Sequence, residues 1–405
     1  MSHLRPLSRR TGMGKNQILV LGGGYTGIVT AARLARMVRA DDASVTLVTE
    51  HATRDERMRW HQLAAGEAYP LLEIEQAVTG TGVSLKVAHI ERIDLGARTV
   101  DTSGGERLAY DALVIALGSV IDFGNVPGAR ENAQGLTDVT SIADTAKRVD
   151  AAPDGARITV VGGGLTGIEL ATELAETHPR LSVAMVSSRD PGDWLSEPAR
   201  RHLAKTFDRL RIERIAGRVA RIDDDAVALA DGRSIPSSVT FWAGGFRANP
   251  LVEAAGLEVD EIGRAWVDGA FRAVSHPEVW VLGDAARVAG RDGEPLKMGC
   301  RTGAFMSFSA PQKIARGLAG TTSTPYVGRY FAECISLGRR DALVQWLTPE
   351  GAPTRRITTG RAAVAIKEFI HRGNQLVPRH PGPYLPARRA HVRATAGGQR
   401  EKIEA

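Results

Sequence analysis

Two near-copies of one glycine-rich segment constrain this chain more than any other feature. "ILVLGGGYTGIVTAARLAR" runs from Ile18 to Arg36, and "ITVVGGGLTGIELATELAE" runs from Ile158 to Glu176. Over the fourteen residues that start at each first glycine, nine are identical. Each copy is an apolar run of strand type, then G-x-G-x-x-G, then a helical pattern rich in alanine and leucine. The glycines are Gly22, Gly24 and Gly27 in the first copy, and Gly162, Gly164 and Gly167 in the second. The first glycine of such a unit permits the strand-to-helix turn, the second lets a pyrophosphate approach the backbone, and the third lets helix pack on strand. The phosphates then lie at the positive end of the helix, where free N–H groups point outward.

A single glycine turn is weak, so the remainder of the unit decides its meaning. In the first copy "SVTLVTE" supplies a second strand that ends in Glu50, 23 residues beyond Gly27. A carboxylate there accepts both hydroxyls of an adenosine ribose. In the second copy the equivalent strand, "SVAMVSS", ends at Ser187, Ser188 and Arg189 without an acid. Serines and an arginine suit a ribose 2′-phosphate, which a carboxylate repels. Two sites imply two dinucleotides, most simply a resident FAD in the first and a visiting NADPH or NADH in the second. The expected fold class is α/β, with two Rossmann-like dinucleotide-binding domains and a smaller C-terminal region.

At 405 residues the chain has length for two or three domains. No apolar run reaches the roughly 18–20 residues of a membrane-spanning helix. The basic start leads straight into a core strand, so residues 1–15 read as a disordered leader, with Met13 an alternative start. Two cysteines, Cys300 and Cys334, exclude a disulfide scaffold and any close-spaced redox pair, and they suit a reducing cytoplasm. Charge is uneven. Pro353 to Thr395 carries nine Arg/Lys against the single acid Glu368, and the first fifteen residues add about +4. With the whole chain at +6, the body between them is acidic. Nucleic acid is therefore not an expected partner, and only the basic C-terminal region would favour an anionic surface.

Four further stretches bring a family into view: "YDALVIALGS" (Tyr110–Ser119), "VPG" (Val126–Gly128), "VTFWAGGFRANPL" (Val239–Leu251) and "VWVLGDAA" (Val279–Ala286). Together with the glycine turns, in this order, they resemble the two-dinucleotide-binding flavoprotein superfamily that includes disulfide reductases, ferredoxin reductases and type II NADH dehydrogenases. The resemblance covers roughly residues 15–345. Within it, "GGGxTGxE", "RMRWHQLAAGE" (Arg57–Glu67) and "ISLGRRDALVQ" (Ile335–Gln345) resemble the type II NADH dehydrogenase branch. It implies an FAD-binding domain in two segments, residues 16–122 and 248–322, an inserted NAD(P)-binding domain at 123–247, and a C-terminal region at 323–405. It further implies an NAD(P)H oxidoreductase that passes two electrons to a quinone or another small acceptor, without a metal site. The chain departs from that branch at its quinone-site glutamines, of which only Gln312 has a counterpart. The membrane-anchoring C-terminal helices are replaced by one amphipathic stretch. Two rival readings follow: a flavoprotein that reduces a specific organic molecule or electron carrier, and a non-catalytic redox sensor.

By the same resemblance Gly22, Gly24, Tyr25, Thr26, Gly27, Glu50, Gly118, Gly283 and Asp284 contact the flavin dinucleotide, with Asp284 on its ribityl chain. Gly162, Gly164, Thr166, Gly167, Ser187, Arg189 and Gly244 contact the nicotinamide dinucleotide. Glu169 replaces Val29 of the first copy and stands at the boundary between the two rings, where desolvation is expected to raise its pKa. It is a candidate to orient the carboxamide or relay a proton. A helix beginning near Arg301 would aim its positive end at the anionic region of reduced flavin. Arg301 is a candidate neighbour of that region, and Cys300 a candidate reactive thiol. His61 and Gln62 would line the flavin's other side. Finally, Arg361–Arg372 reads as a helix with Ala362, Ala365, Ile366, Phe369 and Ile370 on one face and Lys367, Glu368, His371 and Arg372 on the other. The apolar face suits packing on the body or across a homodimer, and also a membrane surface, which would place a cytoplasmic protein peripherally on the inner face of the membrane.

Overall fold

A computed structural model describes residues 15–382 and 389–392. The leader, its second methionine and most of the Pro/Arg-rich tail lie outside the described residues. In chain order the strands that frame the site are β1 (Asn16–Leu21), β2 (Ala43–Thr49), β3 (Val83–Val87), β4 (Ala112–Ile115), β5 (Ala133–Gly135), β6 (Arg157–Val161) and β7 (Ser182–Ser187). They continue with β8 (Glu213–Ala216), β9 (Val239–Trp242), β10 (Val279–Val281), β11 (Ala332–Ser336), β12 (Ala342–Leu347) and β13 (Pro353–Thr359). Five helices matter for the site: α1 (Tyr25–Met37), α2 (Trp60–Ala64), α3 (Leu165–Thr177), α4 (Cys300–Leu318) and α5 (Gly360–Arg379).

Two parallel five-stranded sheets carry the glycine turns. The first has the order β10–β4–β1–β2–β3 and the second β5–β9–β6–β7–β8. Their central strands are apolar on both faces and fully buried, as parallel strands covered on both sides must be. Near-identical sequence gives identical local structure: β1 pairs in parallel with β2 and β4, and β6 pairs with β7 and β9. The chain crosses between the sheets twice, and the crossings, Ser119–Ile121 and Phe246–Ala248, pair as an antiparallel ribbon.

A further sheet, in the C-terminal region, is an antiparallel meander, β11–β12–β13. β11 packs against α3, α2 of the first segment also packs on α3, and α4 lies along α1. The helix expected near Arg301 begins at Cys300. The helix expected at Arg361–Arg372 is present within the longer α5, and most of its expected apolar face is turned outward rather than packed on the body. Phe369 is 77% exposed and Ile370 and Leu376 stand outside, whereas Ala363, Lys367 and His371 are buried. Small Ala363 packs with Ala342 and Val344 of β12, which brings the helix close. Lys367 and His371, one turn apart, then face inward, where a buried carboxylate awaits the lysine.

Candidate functional site

One cavity of about 1370 Å³ runs between the two glycine turns. That exceeds the roughly 300–1,000 Å³ usual for a single small-molecule pocket. Its walls hold Gly22, Gly24, Tyr25, Thr26, Glu50, Gly118, Gly283 and Asp284 on one side. Gly162, Gly164, Thr166, Ser187, Arg189 and Gly244 stand on the other, and Glu169, Cys300 and Arg301 lie between. Gly27 and Gly167, also expected to touch cofactor, do not line it. A Cβ on either would strike the carbonyl of Gly22 or Gly162, so these glycines serve the packing of helix on turn.

The turns fit a diphosphate in two respects. Gly22 and Gly162 hold φ of 110° and 121°, and a Cβ there would strike the backbone of Ala116 or Ala243. Gly24 and Gly164 instead face open space, with nothing within 4 Å of the Cβ each lacks. Each stands just before its helix, so a phosphate in that space meets the free N–H groups of α1 or α3. On the first side the fit extends to a cation. Buried Arg54 donates to Glu56 Oε1 (2.7 Å) and stacks over the ring of Tyr25, 4.3 Å from its centroid. Its Nε and Nη1 have no hydrogen-bond partner among the described residues, and it lines the cavity.

Other expected positions hold additional partners. Asp284 accepts from Ser119 Oγ (2.7 Å) and from the Gly299 N–H (2.7 Å), which ties the Gly-Asp turn to the start of α4. Glu50 follows β2, is half exposed, and pairs with His89 at 3.0 Å. Ser187 donates to the carbonyl of Arg189 (2.6 Å), and the guanidinium of Arg189 lies 3.8 Å from Asp193. Arg218 lines the same end. Arg301 donates to the Ala332 carbonyl and stacks on Tyr330, 4.5 Å from the ring centroid. Its guanidinium therefore fastens β11 beside α4. Desolvation pushes the Cys300 thiol up to about 11, which leaves it protonated and weakly nucleophilic at neutral pH. Gln312 is exposed and outside the cavity wall.

The centre of the cavity pairs the expected Glu169 with a lysine that the sequence reading gave no role there. Glu169 Oε1 accepts from the Ser336 N–H (2.9 Å) and from Lys367 Nζ. Its Oε2 lies 3.8 Å from His61 Nδ1. The carboxyl that burial pushes up most clearly is Glu173, to about 7, one helical turn beyond Glu169. Burial, reinforced by Lys367 and Arg59, drives His371 down to about 3, so it is neutral. Glu173 had a legible signal, since i and i+4 share a helix face. Lys367 had none, because only the fold joins residues 198 positions apart. At the mouth Phe305, Phe331 and Ile370 give the cavity an apolar rim, with the two phenyl rings 5.9 Å apart.

Residues 16–303 match the family model described as pyridine nucleotide-disulphide oxidoreductase. The chain is 25% identical over 378 residues to an NADH dehydrogenase-like protein of Mycobacterium tuberculosis, covering 88% of this chain and 93% of the relative. It is 26% identical over 398 residues to a type II NADH:quinone oxidoreductase of Staphylococcus haemolyticus, covering 88% and 94%. Among solved structures, the sulfide:quinone oxidoreductase of Aquifex aeolicus superposes with a TM-score of 0.75 at 20% identity, covering 91% of this chain and 92% of that one. NDH2 of Plasmodium falciparum, solved with NADH, gives 0.73 at 12% identity, covering 94% and 100%.

Proposed function

Because the chain belongs to the pyridine nucleotide-disulphide oxidoreductase family, we propose that it is an FAD-dependent oxidoreductase that takes hydride from NADH or NADPH and reduces a quinone. The observation that carries this reading is the single cavity that links both glycine turns and opens at the apolar rim of Phe305, Phe331 and Ile370. Residues 16–122 and 248–322 would hold FAD, and residues 123–247 the nicotinamide dinucleotide. Bound FAD supplies the two-electron chemistry, hydride acceptance from nicotinamide and delivery to the acceptor.

The chain's own residues bind, orient and move protons. Arg54 and the start of α1 hold the anionic diphosphate, and Asp284 holds a ribityl hydroxyl. Glu169 and Lys367 form a buried donor pair beside the acceptor position. The apolar rim admits a hydrophobic ring and excludes water. At the far end Arg189 and Arg218 offer charge to a 2′-phosphate, so NADPH serves as donor alongside NADH.

Among the described residues no helix is long and apolar enough to cross a membrane. The outward face of α5, with Phe369, Ile370 and Leu376 between Arg361, Arg372 and Arg379, suits shallow insertion into an anionic lipid surface from the cytoplasmic side. Stopped-flow spectroscopy tests the activity: NADH or NADPH bleaches the flavin absorbance and a short-chain quinone restores it. A colourless protein, or bleaching that no quinone reverses, would sink this reading. Vesicle flotation tests the surface contact, and gel filtration reveals whether the same face pairs two copies instead.

A further inference from the structure

Two buried groups have no part in that reading, the imidazole of His61 and the carboxyl of Glu173. His61 is 3% exposed and the Glu173 side chain 0%. α2 docks on α3 so that His61 lies between two carboxylates of one helix face. Its Nδ1 is 3.8 Å from Glu169 Oε2 and its Nε2 is 4.0 Å from Glu173 Oε2. Beyond Glu169 stands Lys367, which lines the cavity. Beyond Glu173 stands Arg339, whose Nε lies 2.7 Å from Glu173 Oε1 and whose guanidinium reaches the surface, paired there with Glu67. Three helices and the turn between β11 and β12 thus contribute a line of polar groups from surface to cavity, with a gap on each side of the imidazole.

We propose that His61 and Glu173 form a proton-supply line that recharges the Glu169–Lys367 pair from solvent, with Arg339 as its outer cap. The proposal rests on the quinone-reducing reading above. The overall step is NAD(P)H + quinone + H⁺ → NAD(P)⁺ + quinol. The nicotinamide C4–H bond breaks, its electron pair passes to the acceptor, and two O–H bonds form. One of the two hydrogens comes from solvent and must reach a cavity walled by protein. Glu169 and Lys367 give that proton to the acceptor oxygen. Glu173 then passes its proton to His61 Nε2 as Nδ1 releases one to Glu169, so the imidazole exchanges tautomers without holding a charge. The ionised Glu173 regains a proton from water admitted when the Arg339 side chain swings aside, and a ring flip restores the first tautomer.

The electrostatics agree with this assignment. Burial, reinforced by Lys367, Arg339 and Arg59, holds His61 well below its ordinary value and therefore neutral. Burial and then Glu176 raise Glu173 to about 7, against the opposing charge of Lys367 and with a further push from Glu169. Arg339 and His61 complete the charged and titratable groups that face it. Both forms of Glu173 are thus populated near neutral pH. The two imidazole separations are longer than a hydrogen bond, so each transfer requires a small side-chain shift or a bridging water.

The test uses the holoenzyme in separate half-reactions across pH 5.5–8.5, with a water-soluble short-chain quinone as oxidant. Glu173→Gln is expected to bleach with NAD(P)H within about twofold of wild type. Its reoxidation slows about a hundredfold, the lower end of the range for a lost proton donor. The wild-type inflection near 7 disappears, and the solvent deuterium isotope effect on reoxidation rises. Glu173→Asp restores part of the rate, which damage to packing alone would not allow. Independently of turnover, infrared titration of the oxidised wild type shows a carboxylic C=O band that fades through pH 7 and is absent from Glu173→Gln. Equal reoxidation rate, pH profile and isotope effect in wild type and Glu173→Gln would overturn the supply line and leave quinone reduction intact. A wild type that no quinone reoxidises overturns the functional reading and the supply line together.

Discussion

Val29 and Glu169 occupy the same position, the fifth residue of helices that follow matching strands and glycine turns. Val29 is buried in the apolar packing of the first sheet's helix. Glu169 is buried as well, yet it accepts from Ser336 and Lys367, two residues of the C-terminal region. The backbone of the unit is thus indifferent to what its helix carries on that face. The surroundings differ: β11 packs on α3 and Lys367 of α5 reaches it by one side chain, while α1 receives α4 along its length and touches α5. One copy offers its helix face to a helix, the other to a polar junction that lines the cavity.

The sharpest break of this comparison replaces one copy's residue by the other's. Glu169→Val leaves Lys367 buried without its carboxylate, a change that costs about 3–5 kcal/mol. Chemical denaturation should show that loss, with quinone reduction lost as well. Lys367→Met added to Glu169→Val should recover much of the stability without recovering turnover. The glycine turns come next. Gly22→Ala and Gly162→Ala each force a side chain into a left-handed φ and into a backbone carbonyl, at about 1–3 kcal/mol for the strain alone. The two should separate by phenotype. Gly22→Ala yields protein with little bound flavin, read from its absorbance ratio, while Gly162→Ala stays yellow and is bleached slowly by either nicotinamide.

The second helix also carries a pH signature that the first lacks. A carboxyl raised by folding from its ordinary value near 4.5 to about 7 contributes its stability below 4.5. That contribution is lost as pH rises through 7. Thermal melts at pH 5 and pH 8 should therefore show wild type losing a few degrees relative to Glu173→Gln. The smallest effect is at the coenzyme's far end. Arg189→Ala should raise the KM for NADPH several-fold and leave that for NADH unchanged. Its side chain is 84% exposed and its ion pair with Asp193 is solvent-screened.

Much of the cavity wall was legible in the sequence because glycine turns encode their purpose locally. The turn needs positive φ at Gly22 and Gly162 and open space at Gly24 and Gly164, and each requirement is met by residues adjacent in sequence. Gly27 and Gly167 line no part of the cavity and serve packing, the role that their place as third glycine of the turn implies. Arg301, read as a neighbour of the flavin, lines the cavity while its guanidinium is engaged by the Ala332 carbonyl and Tyr330.

α5 shows where local reading fails. Its periodicity separates apolar from polar residues, and burying the apolar side would be the ordinary outcome. The fold instead buries Lys367 and His371, because Glu169 lies beneath them and Ala363 lets the helix approach. The sequence by itself determined that this chain has two nucleotide-binding turns and what each glycine in them can tolerate, since backbone sterics act over a few residues. Only the tertiary structure decided which charges face each other across the cavity. Those pairings join residues far apart in the chain, and their energies depend on burial that no single segment controls.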